Sequence, residues 1–211
     1  MKKLLNFIKK LFGGGNTSPA PQRPVEPVIT PPIKEKPIDF EFGEFDFIIL
    51  DRVVPVLEKV CNTILRNLAR YEYVEALTGV PWRVIAACHY RESSLNFKGV
   101  LHNGEYIIGT GKKTKLVPAG RGPFTSWEQA AVDAMMIEKS KFPRTWDIKG
   151  QLDFCERFNG LGYRNKGAPS PYVYAGTDKY KSGLYVADGK YSSTKVDMRL
   201  GCAAIIKGLS K

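Results

Sequence analysis

Apolar residues recur at three- and four-residue intervals in several stretches of the chain, which is the spacing of a buried helical face. Pro81 suits the first turn of one such helix, and a short extended segment is predicted at residues 106–108. Helices are predicted at residues 53–68, 82–92, 130–137, 152–158 and 197–209. The pattern predicts a mainly α domain with long loops and little strand.

The start of the chain has a different character. Residues 1–15 place apolar side chains on one helical face and lysines mostly elsewhere, which predicts a basic amphipathic segment. Such a segment could lie on an anionic membrane surface through residues 1–12, or it could be a disordered start that binds nothing in particular. Residues 16–39 contain seven prolines and are predicted to form an extended linker. The folded domain is assigned to residues 40–211.

Basic residues outnumber acidic ones. The 211 residues include 32 Lys or Arg and 21 Asp or Glu, a net charge of +11. This surplus favours a polyanionic partner, which could be nucleic acid, an anionic membrane or an acidic cell-wall polymer. Because no nucleic-acid-binding motif and no Lys/Arg stripe on a single helix is recognisable, we do not expect nucleic acid to be the partner.

The four cysteines are Cys61, Cys88, Cys155 and Cys202. None belongs to a CxxC pair, and the chain has two histidines, so the sequence predicts no zinc site and no other metal or cofactor. Each lies among apolar residues of a predicted helix, which favours buried free thiols over disulfides. Free thiols are compatible with a reducing cytoplasm.

One carboxylate stands out on the second predicted helix. Ile85, Cys88, His89 and Glu92 are spaced i, i+3, i+4 and i+7, so they share one face. A carboxyl group at the end of an apolar face is partly desolvated, which raises its pKa toward the range that a general acid needs. By itself, a Glu at a helix end is more often a solvated surface residue.

The residues around Glu92 carry a family resemblance. His-Tyr-Arg-Glu-Ser-Ser-Leu-Asn-Phe at 89–97 resembles the Glu-Ser-Ser signature of soluble lytic transglycosylases and goose-type lysozymes, and the longer pattern is similar to phage-type peptidoglycan hydrolases of that superfamily. The resemblance covers about residues 50–206 and implies a lysozyme-like fold with Glu92 as the catalytic acid. The matching stretches are residues 101–104, 117–121, 124–128, 131–134, 158–163, 170–172 and 185–191.

Two departures from the transglycosylases matter. The chain reads Leu-His-Asn-Gly-Glu at 101–105 where they usually carry Gly-Leu-Met-Gln, and Phe-Asn-Gly at 158–160 where they have Tyr-Asn-Ala-Gly. The resemblance therefore favours the wider lysozyme superfamily over the transglycosylases proper.

A hydrolase that inverts the anomeric centre needs a second carboxylate to activate water. Glu105 is the candidate, because the resembling families tend to place an Asp there; a solvated turn residue is the alternative. Asp133 is a further candidate, although its position within a helix favours a structural role. A lytic transglycosylase needs no second carboxylate, because the 6-hydroxyl of the sugar attacks the glycosyl carbon.

Aromatic residues are concentrated near the end of the domain. Six of the ten tyrosines lie within residues 154–191, and tyrosine suits both the faces and the hydroxyl groups of sugars. About half of them are expected to serve packing. His89 is interpreted chiefly as a core or cleft-wall residue. The candidate substrate-binding residues are His89, Ser94, Asn103, Asn159, Tyr163, Tyr172 and Tyr174.

Together these observations predict a monomeric muramidase that cleaves the bond between N-acetylmuramic acid and N-acetylglucosamine in bacterial peptidoglycan. A lytic transglycosylase with 1,6-anhydro products and a non-catalytic wall-binding module are the alternatives. Lys9 and Lys10 interrupt the apolar core that a signal peptide needs. We therefore expect synthesis in a bacterial cytoplasm without a clear signal peptide and action at the peptidoglycan layer.

Overall fold

The computed structural model describes residues 45–187 and 189–210, which form eight α-helices and one two-stranded sheet. The mainly α class is confirmed, and the segments predicted at residues 1–15 and 16–39 lie outside the described residues. The helices are α1 Val54–Arg66, α2 Leu68–Thr78, α3 Trp82–Ser93, α4 Trp127–Ile137, α5 Ile148–Asn159, α6 Gly162–Asn165, α7 Pro171–Tyr174 and α8 Cys202–Leu209; the strands are β1 Leu184–Ala187 and β2 Lys190–Ser192.

The first predicted helix is two helices. Asn67 separates them with a non-helical backbone conformation, and its side-chain amide donates to the Thr63 carbonyl at 2.9 Å. Only Tyr71 and Val74 are buried on α2, so this helix has a short apolar face that the periodicity did not reveal. It ends at Gly79, whose φ of 73° is the left-handed conformation that glycine adopts without strain.

Caps explain where the later helices begin. The Ser126 hydroxyl accepts from the Gln129 N–H at 3.2 Å, and the Asp147 carboxylate accepts from the Gly150 N–H at 2.7 Å. Consequently α4 and α5 each start a few residues earlier than predicted. The last helix starts later, because the Gly201 N–H donates to the Ala175 carbonyl at 2.7 Å and joins the chain there to α7.

Strand content is small, as predicted, but its position is not the predicted one. At residues 106–108 the structure has a single antiparallel bridge between Gly99 and Tyr106. The sheet is instead the β1–β2 hairpin, in which Tyr185 faces Tyr191.

Helix α3 lies at the centre of the domain. It packs against α2 on one side and α8 on the other, while α5 packs against α7. Most of α3 is buried from Val84 through His89. The long loop between α3 and α4 has a separate small apolar cluster of Val100, Ile107 and Phe124 with Ala130 of α4. Within the described part of the chain, no helix has the length and apolar character needed to cross a membrane.

Candidate active site

Glu92 lies in the last turn of α3, immediately before the buried helix emerges at the surface. The helix ends at Ser94, whose φ is 53°. Burial raises the pKa of Glu92 from 4.5 to about 7, and a hydrogen bond from Tyr172 and the charge of Arg91 partly oppose this rise. Near neutral pH the carboxyl group therefore exists in both its protonated and its ionised form.

Tyr172 orients this carboxyl group. Its hydroxyl donates to Oε1 of Glu92 at 2.8 Å, and its ring is almost fully buried. The Arg91 guanidinium lies 4.9 Å from the centroid of that ring. Arg91 is itself held by Asp197 at 2.8 Å and by the Leu200 carbonyl at 3.2 Å. The acid is thus positioned by a chain of buried contacts that runs to the start of α8.

Glu92 opens into a cleft of about 540 Å³. One wall comes from the loop between α3 and α4, and the other comes from the ends of α4 and α5 with the turn after α4. The lining residues are Glu92, His102, Asn103, Leu116, Val117, Pro118, Ala134, Ile137, Glu138, Lys141, Phe158 and Asn159. The cleft combines an apolar wall with a protonatable acid, an arrangement suited to binding an elongated, partly apolar ligand.

A second hollow of about 330 Å³ continues beyond Asn159, which lines both. Tyr163, Tyr172 and Tyr185 lie in its wall, as do Arg91, Asp197 and Arg199. Burial alone would raise the pKa of Asp197, but hydrogen bonds from Arg199 and Arg91 lower it to about 2, so its carboxylate stays charged. Three of the predicted residues, Asn159, Tyr163 and Tyr172, line this second hollow. Asn159 also lines the cleft that contains Glu92, and Tyr172 bonds to Glu92.

Tyr163 also supports the β-hairpin. Its hydroxyl accepts from the Tyr185 N–H at 3.0 Å, and the two ring centroids are 5.0 Å apart. The Tyr191 ring lies 5.3 Å from that of Tyr185. These three tyrosines join the hairpin to α6, so part of the tyrosine-rich segment serves packing.

Glu105 does not line either hollow. Its carboxylate accepts hydrogen bonds of 2.9–3.0 Å from the Asn103 amide and from the backbone N–H groups of Lys115 and Leu116. Desolvation would raise the pKa of Glu105, but these hydrogen bonds lower it. In this structure Glu105 joins Asn103 to residues 115–116, and so holds together the loop that forms a cleft wall.

Gly104 brings this loop against the acid. Its φ is +78°, and a Cβ at this position would collide with the carbonyl oxygen of Glu92. Asn103 lines the cleft beside it, but its amide is used within the loop, where it bonds to Glu105 and to the Leu116 carbonyl. The close approach of Gly104 therefore fixes the distance between the loop and the end of α3.

Asp133 has a supporting role, as its helical position suggested. It forms an ion pair with Arg121 and accepts from Nε2 of His102 at 2.8 Å. The His102 ring stacks on Phe124, with centroids 5.5 Å apart. These contacts fasten the long loop to α4.

His89, a candidate substrate contact, lies in the core and lines neither hollow. Its side chain is fully buried between Phe97 and Trp127, whose rings lie 4.7 and 4.6 Å away, and Nδ1 is 3.0 Å from the Tyr71 hydroxyl. Burial lowers the pKa of His89 to about 4, so the ring is neutral near pH 7. The interpretation of His89 as a core residue is confirmed.

Two further predicted contacts are not brought to the cleft. Tyr174 packs against Phe47, with ring centroids 6.5 Å apart, and lies in neither lining. Ser94 is exposed at the end of α3 and is likewise absent from both. Residues two apart on a helix point in nearly opposite directions, so Tyr172 reaches Glu92 and Tyr174 does not.

The sequence did not reveal Glu138, Lys141, Arg91 or Arg199 as site residues. Glu138 lines the cleft and pairs with Lys141, and both follow the end of α4. Arg91, the residue before Glu92, is buried, which is unusual for an arginine. Charged residues after a helix, as Glu138 and Lys141 are, or near a helix end, as Arg91 is, are common on protein surfaces, so only tertiary structure distinguishes these residues.

Neither a family model, a curated protein nor a solved structure matches this chain.

Proposed function

We propose that this protein is a peptidoglycan-cleaving glycosidase of the lysozyme superfamily, in which Glu92 is the general acid. The single observation that carries the proposal is the position of Glu92, a carboxyl group with a pKa of about 7 that opens into an extended cleft. A general acid works best when its pKa is close to the working pH. The motif series around Glu92 supports the same reaction and a lysozyme-like fold.

The reaction would begin with proton transfer from Glu92 to the glycosidic oxygen. As the bond between that oxygen and the anomeric carbon breaks, the oxygen leaves with the Glu92 proton as a hydroxyl group. The hydrogen bond from Tyr172 stabilises the carboxylate that remains. The oxygen of a water molecule then bonds to the anomeric carbon and one proton of that water returns to Glu92, so the sum of the steps is hydrolysis.

The shape and charge of the site suit a glycan strand. The two hollows meet at Asn159 and Tyr172 lies beside Glu92, so sugars on both sides of a scissile bond can be accommodated. Peptidoglycan also carries carboxylates, which complement the net charge of +11. The substrate class we propose is therefore the alternating strand of N-acetylmuramic acid and N-acetylglucosamine.

One observation favours a lytic transglycosylase as the second candidate. The Glu105 carboxylate is engaged by loop N–H groups and lies outside both hollows, so it is poorly placed to activate water. Glu138 lines the cleft, but it is paired with Lys141. A mechanism with one carboxylate would release 1,6-anhydro products instead of adding water.

Digestion of purified peptidoglycan with recording of product masses tests both candidates. We expect the wild-type protein to release muropeptides and Glu92→Gln to lose at least about 100-fold in rate, the scale of general-acid catalysis. Hydrolysis gives reducing ends, whereas transglycosylation gives products lighter by one water. If wild type and Glu92→Gln cut equally, or if the protein sediments with the wall and leaves it intact, the proposal is wrong.

A further inference from the structure

Three of the four cysteines meet at one point in the core. Cys88 of α3, Cys155 of α5 and Cys202 of α8 are fully buried, and their three Sγ atoms lie within 4.8 Å of one another. None of these three cysteines forms a disulfide. Long intervals separate them in sequence, which is why no CxxC spacing indicated that they meet.

The spacing of the sulfurs fits a metal ion. In an equilateral triangle with 4.8 Å edges the centre is about 2.8 Å from each corner, whereas a zinc–thiolate bond is about 2.3 Å. Because 4.8 Å is the upper limit of the sulfur separations, a contraction of at most about 0.5 Å at each sulfur brings all three to bonding distance. Side chains rather than helices can supply a movement of this size.

Charge near the cluster points the same way. Arg91 is buried, donates to the Leu200 carbonyl two residues before Cys202, and has no hydrogen-bond partner for its Nε among the described residues. Three thiolates around a divalent ion carry a net charge of −1, and a neighbouring guanidinium offsets it.

We propose that Cys88, Cys155 and Cys202 form a buried three-thiolate site for a soft metal ion. Among the described residues, the cluster contributes three sulfurs and no fourth ligand atom from a His, Cys, Asp or Glu, whereas structural zinc is almost always tetrahedral. This favours a thiophilic d10 ion that accepts three-coordination. Binding of the ion displaces the protons of the three thiols and changes no oxidation state.

The site would join the three helices that position the acid. Cys88 is one turn before Glu92 on α3, and α8 begins at Cys202, directly after the segment that holds Arg91. An ion bound there would link α3, α5 and α8 behind the cleft. The inference does not depend on the proposed glycosidase activity, because its readouts are binding and stability.

Cadmium is a suitable probe. The full chain, reduced and unfolded in urea, is refolded with and without a small excess of CdCl₂ and freed of unbound ion. We expect native mass spectrometry to show one Cd²⁺ per chain, an ultraviolet thiolate-to-cadmium charge-transfer band to appear, and the melting temperature to rise because the ion binds only the folded state.

Two cysteine variants separate the cluster from the remaining thiol. Cys155→Ala should weaken Cd²⁺ binding by more than the roughly 10–100-fold that loss of an outer partner costs, whereas Cys61→Ala should bind like the wild type. Circular dichroism confirms that each variant folds, and if Cys155→Ala does not fold, the wild type and Cys61→Ala still decide. The proposal is overturned if the wild type binds no Cd²⁺, if Cys61→Ala loses binding, or if folded Cys155→Ala retains it.

Discussion

Replacing Glu92 with Gln should make the protein more stable at pH 8 and leave its stability nearly unchanged at pH 4. The folded-state pKa of Glu92 is raised to about 7 from 4.5. Between these values the folded protein binds more protons than the unfolded chain, so the stability of the wild type falls as pH rises through this window. Above about pH 7 the full cost of a partly buried carboxylate is present. Gln is neutral at every pH and does not incur that cost.

The structure sets the size of the effect. At about 1.4 kcal/mol per pKa unit, a rise from 4.5 to about 7 corresponds to about 3 kcal/mol. The amide oxygen of Gln can still accept from the Tyr172 hydroxyl, so that hydrogen bond is retained in weaker form. We therefore expect a gain of about 2–3 kcal/mol at pH 8 and less than about 0.5 kcal/mol at pH 4.

Urea unfolding of both proteins at pH 4 and pH 8 measures this difference, with the midpoint and slope fitted separately. Glu105→Gln is the matched control. The folded-state pKa of Glu105 is lowered. The stability that the wild-type carboxylate contributes is therefore present above the unfolded-state pKa and disappears as pH falls through the folded-state pKa. Glu105→Gln should therefore destabilise the protein at pH 8. Equal shifts of Glu92→Gln at both pH values, or destabilisation at pH 8, would refute the assignment of a raised pKa to Glu92.

Three other predictions address the site and the start of the chain. Peptidoglycan cleavage should fall as pH rises above about 7, where Glu92 loses its proton. In Tyr172→Phe this fall should occur at higher pH, because the lost hydrogen bond favours the ionised carboxylate. An unchanged pH profile would contradict the role of Tyr172. Gly104→Ala should lower the free energy of unfolding by about 1–3 kcal/mol in a urea titration, because φ is +78° and the new Cβ meets the Glu92 carbonyl. An unchanged free energy of unfolding would show that the loop does not contact α3 so closely. Deleting residues 1–15 should reduce lysis of intact cells and leave digestion of purified wall unchanged, and an equal loss in both assays would dismiss the membrane role.

Local pattern was enough to predict the helical class and to place Glu92 at the end of α3. Helix α3 has a complete apolar face and Pro81 at its start, so both its extent and the position of Glu92 at its end follow from periodicity. The Ser126 cap at the start of α4 also involves only residues that are close in sequence. Helix α2 was missed because two buried residues give it a weak period.

What the sequence could not reveal depends on contacts between distant segments. Nothing local distinguishes the buried Arg91 from an exposed arginine; its burial depends on Asp197, 106 residues later. Glu105 was placed in the mechanism by resemblance, and only the fold shows that loop N–H groups occupy its oxygens. The meeting of Cys88, Cys155 and Cys202 likewise needs three helices to be assembled first.

The two hollows that meet at Asn159 also give the cleft a direction. One side of Glu92 has an apolar wall with the Glu138–Lys141 pair, and the other has the guanidinium of Arg199 beside tyrosine rings. A strand of two alternating sugars has its own head-to-tail polarity, so threading it forwards or backwards presents different groups to each side. Such an unsymmetrical channel would favour one orientation of the proposed glycan strand.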